Sequence, residues 1–312
     1  MCKLRKVVLV GAGAVGTAYA YSLVNQGFIS ELVIIDANEE KAKGEAMDLV
    51  HGMAFASSNM VVKHGGYEEC SDAQLVVITA GANQKPGETR LDLVEKNTKI
   101  MKSIVRSVVD SGFNDIILVA SNPVDLMSHV AQKESGFPAH KVLGSGTTLD
   151  SARFKVLLGD YFKVDPRNIH ASIMGEHGDS EFPVWSQASI GIESLSKVLE
   201  RRNNPEDKKN LENIFSQVRN AAYEVINRKG VTNFGIGMCL TRITKAIFNN
   251  EHSILTVSCL LEGQYGQNDI YLSVPAIVNR QGVQEVIEVD LDDNEDQLLA
   301  NSVEVLKKSR VE

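Results

Sequence analysis

No stretch of the 312 residues approaches the roughly 20 consecutive apolar residues of a membrane-crossing helix, so no transmembrane helix is expected. Net positive charge is also lacking. The 32 Lys and Arg against 40 Asp and Glu leave a formal charge of −8, without the basic face that nucleic-acid phosphates require. That balance does not exclude a small anionic substrate, because one buried Arg outweighs a distant surface charge. Cysteine is sparse: Cys2, Cys70, Cys239 and Cys259 are scattered and form no CxxC pair. Neither a zinc site nor a disulfide framework is indicated, no metal is expected, and a reducing, cytoplasmic compartment fits best. Repeats, low-complexity tracts and long linkers are absent. Lys3, Arg5 and Lys6 before V-V-L-V resemble the start of a signal peptide, but the apolar run stops at Gly11 without a cleavage site.

What is present is an ordinary globular composition, 43% hydrophobic and 23% charged, in a length that suits two domains. The first half alternates strand and helix patterns. Val7 to Val10 predicts a strand, Ala14 to Gln26 a helix stopped by Gly27, and Leu32 to Ile35 a strand ending at Asp36. Leu75 to Thr79 and Ile116 to Val119 predict further strands. Between them, Leu91 to Val109 predicts a long helix with Val94, Met101, Ile104, Val105 and Val108 on one face. Short, wholly apolar strands between helices indicate an α/β fold, a Rossmann-type doubly wound parallel sheet covered on both faces. The pattern changes near residue 145. A helix follows Thr148, another starts at Asn204-Pro205 with Leu211, Ile214, Val218 and Val225 inward, Tyr271 to Leu291 alternates like antiparallel strands, and a last helix carries Leu299, Val303 and Leu306. The expected division is a nucleotide-binding domain over residues 1–144 and an α+β catalytic domain over residues 145–312, tightly packed.

Gly11, Gly13 and Gly16 form G-A-G-A-V-G between a strand and a helix, the context in which GxGxxG gains meaning. The first glycine permits the tight turn, the second lets the backbone approach a pyrophosphate, and the third allows close helix–strand packing. The helix N-terminus adds free N–H groups and partial positive charge. Asp36 ends the next strand 20 residues beyond Gly16. An acid there accepts from ribose hydroxyls and repels a 2′-phosphate, which favours NAD over NADP. The bland alternative is a glycine turn with a solvated Asp.

Four further segments carry reactive groups. G-E-H-G-D contains His177, a side chain suited to proton transfer near neutral pH. L-D-S-A-R-F sets Asp150 and Arg153 at i,i+3 on one helix face. Arg153 could grip a carboxylate and Asp150 could orient His177, or the two could form a local salt bridge. A-G-A-N-Q-K-P-G-E-T-R is a polar loop able to deliver Arg90, and S-N-P-V-D places Asn122 at a strand end. Taken singly, each segment also fits a core histidine, an ion pair or a solvated loop.

Together these stretches resemble the lactate/malate dehydrogenase family, in the style of its bacterial L-lactate-specific members. The likeness runs from Lys6 to about Arg280 through V-G-A-G-A-V-G, G-A-N-Q-K-P-G-E-T-R, S-N-P-V-D, G-S-G-T-T-L-D-S-A-R-F and G-E-H-G-D-S-E-F-P-V-W-S. The resemblance implies His177 as acid/base, Asp150 as its partner, Arg153 as carboxylate clamp, Arg90 as the mobile polarising group, and Asn122 and Thr232 as substrate contacts. It implies Val15, Lys41, Tyr67, Thr79, Gly81, Ala82, Ser103, Asn122 and Ser145 beside NAD, and a homotetramer. Gln84 stands six residues before Arg90, where malate-specific members carry Arg. A neutral side chain there leaves a second substrate carboxylate unpaired, so pyruvate and lactate are expected rather than oxaloacetate and malate. Branched 2-hydroxy acids stay open.

Many bacterial members respond to fructose 1,6-bisphosphate through an Arg two residues after the clamp and a His seven before the acid/base. Here His170 is present and Lys155 replaces the Arg, which keeps charge but loses the planar fork, so weak activation or none is expected. Two rivals of other classes are a non-catalytic NAD-binding protein, against which the joint presence of His177, Asp150, Arg153 and Arg90 speaks, and a Ser-His-Asp hydrolase, for which no GxSxG elbow exists.

Overall fold

Apolar runs of four or five residues, buried along their length, build the centre of the molecule. They are β1 (Lys6–Val10), β2 (Glu31–Ile35), β4 (Leu75–Ile78) and β5 (Ile116–Val119), with β3 (Val61–His64) at the edge and β6 (Val142–Gly144) beyond β5. The computed structural model describes residues 5–82 and 90–310, with the side chains of Arg90 and Leu91 outside the described set. Helices α1 (Ala14–Gln26), α2 (Glu39–Gly52), α3 (Arg90–Asp110) and α4 (Val124–Ser135) connect these strands. All the pairings from β3 to β6 are parallel, in the order β3-β2-β1-β4-β5-β6. The chain reverses direction across the sheet between β1 and β4, the place where open α/β sheets leave a crevice for ligands.

The second half begins with α5 (Thr148–Phe162). Short strands follow: β7 (Ile169–His170), β8 (Ile173–Met174), β9 (Phe182–Pro183), β10 (Ser189–Ile190) and β11 (Glu193–Ser194). Then come α6 (Leu195–Arg202), α7 (Asp207–Lys229), α8 (Phe234–Asn249), β12 (Ser253–Glu262), β13 (Asn268–Asn279), β14 (Gly282–Val286) and α9 (Asp293–Ser309). The last three strands do not form a sheet of their own. β12 pairs antiparallel with β6 at Ser258 and Gly144, so among the described residues one mixed sheet of nine strands crosses the middle of the chain. The alternation that begins near Tyr271 ends at Val286 rather than Leu291, because residues 287–291 leave the ladder.

One apolar cluster spans both sheet faces, and a second, around Phe154, Leu158, Ile173, Leu211, Ile214 and Val218, binds α5 to α7. Val225 corrects the expected inward face of α7. It shares a helix face with Leu211 and Val218, yet it is 37% exposed because the helix runs two turns past the edge of that cluster. No helix among the described residues is long and apolar enough to cross a membrane.

Candidate active site

The carboxyl ends of β1, β2 and β4, with one side of α3, enclose a cleft of about 680 Å³. Gly11, Gly13, Asp36, Lys41, Tyr67, Thr79, Gly81, Ala82 and Ser103 line it, joined by Lys99, Ile100 and Ile104 of α3, which the sequence reading did not include. Gly11 takes φ +111°, and a Cβ there would stand 2.6 Å from the backbone nitrogen of Ala80. A Cβ on Gly16 would meet the Gly11 carbonyl oxygen at 2.0 Å, so Gly16 supports the turn from behind rather than lining the cleft. A Cβ on Gly13 would have no atom within 4 Å, which leaves that backbone open for a phosphate to approach.

The Asp36 carboxylate accepts from the Ala12 N–H at 2.7 Å and from the Asn38 N–H at 2.9 Å. It therefore fastens the glycine turn to the end of β2 and keeps lone pairs for ribose hydroxyls. A cleft with an open glycine turn, a helix N-terminus and this acid fits NAD. Replacing Asp36 with Ser should narrow the preference for NADH over NADPH by about tenfold or more, since a charged acceptor and its repulsion of a 2′-phosphate are both lost. Comparing kcat/KM for the two cofactors measures this, and an unchanged ratio would remove Asp36 from the ribose contact.

Other expected cofactor residues stand around the cleft rather than in its wall. Val15 is partly buried at the start of α1, Asn122 is exposed after β5, and Ser145 is buried after β6. Asn97 ties this rim together, accepting from the Ala82 N–H at 2.8 Å and donating to the Asn122 carbonyl at 2.9 Å.

Beyond the sheet, α5 and the loop after β8 bring Asp150, Arg153 and His177 together. Asp150 lies in the first turn of α5, where the helix N-terminus favours a carboxylate. Its Oδ1 accepts from Arg153 Nη1 at 2.7 Å, and its Oδ2 faces His177 Nδ1 at 2.7 Å. Salt bridge and imidazole contact thus coexist on one carboxylate. An ionised carboxylate only accepts, so Nδ1 carries the hydrogen and Nε2 is left for proton exchange. Burial alone would raise the Asp150 carboxyl, but His177 and Arg153 hold it below the usual carboxylate range. Burial likewise works against a charged His177, and the Asp150 carboxylate overrides it, raising the imidazole to about 9.

Two acids of this centre carried no assigned role in the sequence reading. Asp125, 2% exposed at the start of α4, accepts from the His177 backbone N–H at 2.8 Å and from the hydroxyls of Ser258 and Ser273 at 2.6 and 3.0 Å. Burial pushes its carboxyl up while those donors restrain it. Glu181, 6% exposed, stands close enough that one of its oxygens, a ring nitrogen of His177 and an oxygen of Asp150 all lie within 4.8 Å of one another.

Thr232 is partly buried in the turn between α7 and α8. Lys155 is partly buried on α5, where burial pulls its amine down, and His170 is exposed on β7. Gln84 and the side chain of Arg90 lie outside the described residues.

Residues 5–144 match the model of the lactate/malate dehydrogenase NAD-binding domain, and residues 147–311 match that of the lactate/malate dehydrogenase alpha/beta C-terminal domain. L-lactate dehydrogenase 2 of Bacillus cereus is 59% identical over 306 residues, covering 98% of this chain and 97% of that protein. The minor L-lactate dehydrogenase of Enterococcus mundtii in its ligands-bound form superposes with a TM-score of 0.97 at 49% identity, covering 99% of this chain and 100% of that one. A lactate dehydrogenase from a Medee basin deep-sea metagenome library superposes with a TM-score of 0.96 at 50% identity, covering 98% of each chain.

Proposed function

We propose that this chain, which belongs to the lactate/malate dehydrogenase family, is an NAD-dependent L-lactate dehydrogenase that interconverts pyruvate and L-lactate. The observation that carries the chemistry is the contact series Arg153–Asp150–His177, with His177 held by Asp125 of the segment after β5, whose Asn122 is tied through Asn97 to Ala82 of the cleft that fits NAD.

When bound, NAD supplies the hydride acceptor, and its reduced form the donor. The remaining work belongs to side chains. Arg153 keeps guanidinium donors beyond the one given to Asp150, enough to pair with the substrate carboxylate. His177, held protonated by Asp150, gives its Nε2 proton to the carbonyl oxygen as hydride reaches the carbon. In lactate oxidation neutral His177 takes that proton back. Asp150 fixes the ring tautomer and steadies the imidazolium without itself taking the proton. We assign Arg90 to polarising the carbonyl, Asn122 and Thr232 to substrate contact, and Gln84 to the far end of the substrate. A neutral Gln84 leaves a dicarboxylate unpaired, which favours pyruvate over oxaloacetate.

The test follows NADH absorbance with a panel of 2-oxo acids. Wild type should oxidise NADH fastest with pyruvate, and no oxidation with any member would leave only an NAD-binding protein. Gln84→Arg should move the ratio of kcat/KM for oxaloacetate over pyruvate upward by about 100-fold or more, the scale of a charge pair in a closed site. An unchanged ratio would mean that residue 84 does not meet the substrate.

We further propose a homotetramer in the cytoplasm. Large apolar side chains left exposed on three helices, Tyr21, Tyr223, Ile226, Phe234 and Met238, support association, and sedimentation measures it.

A further inference from the structure

We propose that Glu181 is a positioning residue for this reaction: its carboxyl is a second acid beside the His177 ring, and it helps keep the transferable proton on the imidazole. The inference rests on the pyruvate–lactate reading for its kinetic consequence, but not for its geometry.

A carboxyl that is 6% exposed and sits at the mouth of β9 has an unusual environment. Apolar residues follow it directly, with Phe182 and Val184 both buried. Among the described residues no hydrogen bond reaches its carboxyl oxygens, and what acts on it is charge. On the loop itself stands His177, while Glu176 is occupied by the Ser180 hydroxyl at 2.5 Å. From α5 come Asp150 and Arg153, and from α7 comes Arg219. Asp125 of α4 acts on the same imidazole, and Cys239 of α8 lies within the field of Asp150 and Arg153.

Burial and the Asp150 charge push the Glu181 carboxyl up to about 8, against the pull of His177, Arg153 and Arg219. Glu181 also adds to the charges that raise His177, after Asp150. The two groups therefore titrate as a pair in neighbouring ranges. With Glu181 ionised, the imidazolium has carboxylates on two sides. When His177 gives up its proton, Glu181 loses the cation that lowers it most and its own proton affinity rises. Asp150 loses the same cation but keeps Arg153 at 2.7 Å, so its affinity rises from a lower start. The consequence is that Glu181 extends the range over which His177 stays a proton donor toward alkaline pH. It delays, by the same amount, the pH at which neutral His177 is available for lactate oxidation.

Glu181→Gln keeps the shape and removes the charge. The His177 imidazole of the free protein, followed by NMR of 15N-labelled histidine, should then titrate about one pH unit lower, the size expected for losing an opposite charge at this distance. The alkaline limb of kcat/KM for pyruvate and the onset of lactate oxidation should move down together. Glu181→Asp, with the charge retained on a shorter arm, should fall between. In wild type, 13C-labelled glutamate should show a Glu181 carboxyl still titrating above pH 6.

A His177 titration in Glu181→Gln that coincides with wild type overturns the proposal, even if turnover drops, because a merely structural role would lower rate without moving the midpoint. A Glu181 carboxyl still protonated through the whole His177 titration in wild type overturns it independently of any variant, because a neutral acid adds no charge to hold the imidazolium. The NMR titrations need no substrate, so they decide the pairing even if wild type fails to oxidise NADH with pyruvate and the reading of the reaction falls.

Discussion

His177→Ala should lose roughly 10²–10⁴-fold in pyruvate turnover, the span typical of a general acid–base group, while NADH binding stays near wild type. His177 stands on the loop after β8, whereas the walls of the cofactor cleft come from β1, β2, β4 and α3. The fold should tolerate the change. Asp150 keeps Arg153 as a counter-charge at 2.7 Å, and Asp125 keeps the backbone N–H of residue 177, which alanine retains. Fluorescence titration with NADH and single-turnover oxidation separate the two effects. Near-wild-type single-turnover rates would show that another group delivers the proton. Loss of NADH binding would show that the imidazole shapes the cleft.

The parts of this molecule that were legible in its sequence are those where a single physical demand acts on consecutive residues. β1 and β5 must be apolar on both faces, so their runs stand out, and α1 ends at Gly27 because its left-handed φ of 62° suits glycine. The inward face of α3 repeats Val94, Met101, Ile104, Val105 and Val108, all of them buried. Other elements give no such signal. α2 covers the sheet with only Ala42 and Ala46 buried, so Glu39–Gly52 lacks an apolar stripe. β3 is an edge strand with two valines, one of them exposed. β12 mixes Ser253, Thr256, Ser258 and Cys259 into a ten-residue strand whose place is dictated by β13, a long-range partner that local periodicity does not encode.

The site divides in the same way. His177, Asp150 and Arg153 could be proposed because their side-chain types state their chemistry and i,i+3 spacing states one contact. The separation of 27 positions from Asp150 to His177 is closed only by the fold. Asp125 and Glu181 sat inside the very stretches that carried the family resemblance, yet nothing local marks them as buried beside the imidazole. Asn97 left a fainter trace. It falls three residues after Val94 and four before Met101, on the apolar stripe of α3, and a polar residue in such a stripe must have a partner inside. Reading the polar interruptions of an apolar face, rather than only its apolar members, would have found it.

Asp150→Asn should be nearly as damaging as loss of the imidazole, and for a reason that leaves a different pH signature. The amide keeps the volume and removes the charge that overrides burial. Burial disfavours the imidazolium, and without the carboxylate the imidazole should fall from about 9 to the ordinary histidine value or below it. Two losses then combine at pH 7.5. Most of the enzyme lacks the imidazolium proton to give, and the neutral ring that an amide N–H facing Nδ1 favours carries its one hydrogen on Nε2 as a far weaker acid. Pyruvate kcat/KM should drop by roughly 10²–10³-fold. The rate should recover partly as pH falls below 6.5, a range where wild type, with His177 raised to about 9, should stay flat. Stability carries the same sign. In wild type His177 is raised above its unfolded value, so its contribution is complete below about pH 6.5 and is lost as pH rises through about 9. Thermal unfolding of wild type should therefore show a decline across that window that is missing in Asp150→Asn. The Asp150 carboxyl is itself held low by its partners, so it stabilises above its unfolded value and that contribution disappears only in acid. Equal pH profiles for the two proteins, with only the rate scaled down, would mean that Asp150 shapes the site without setting the charge of His177.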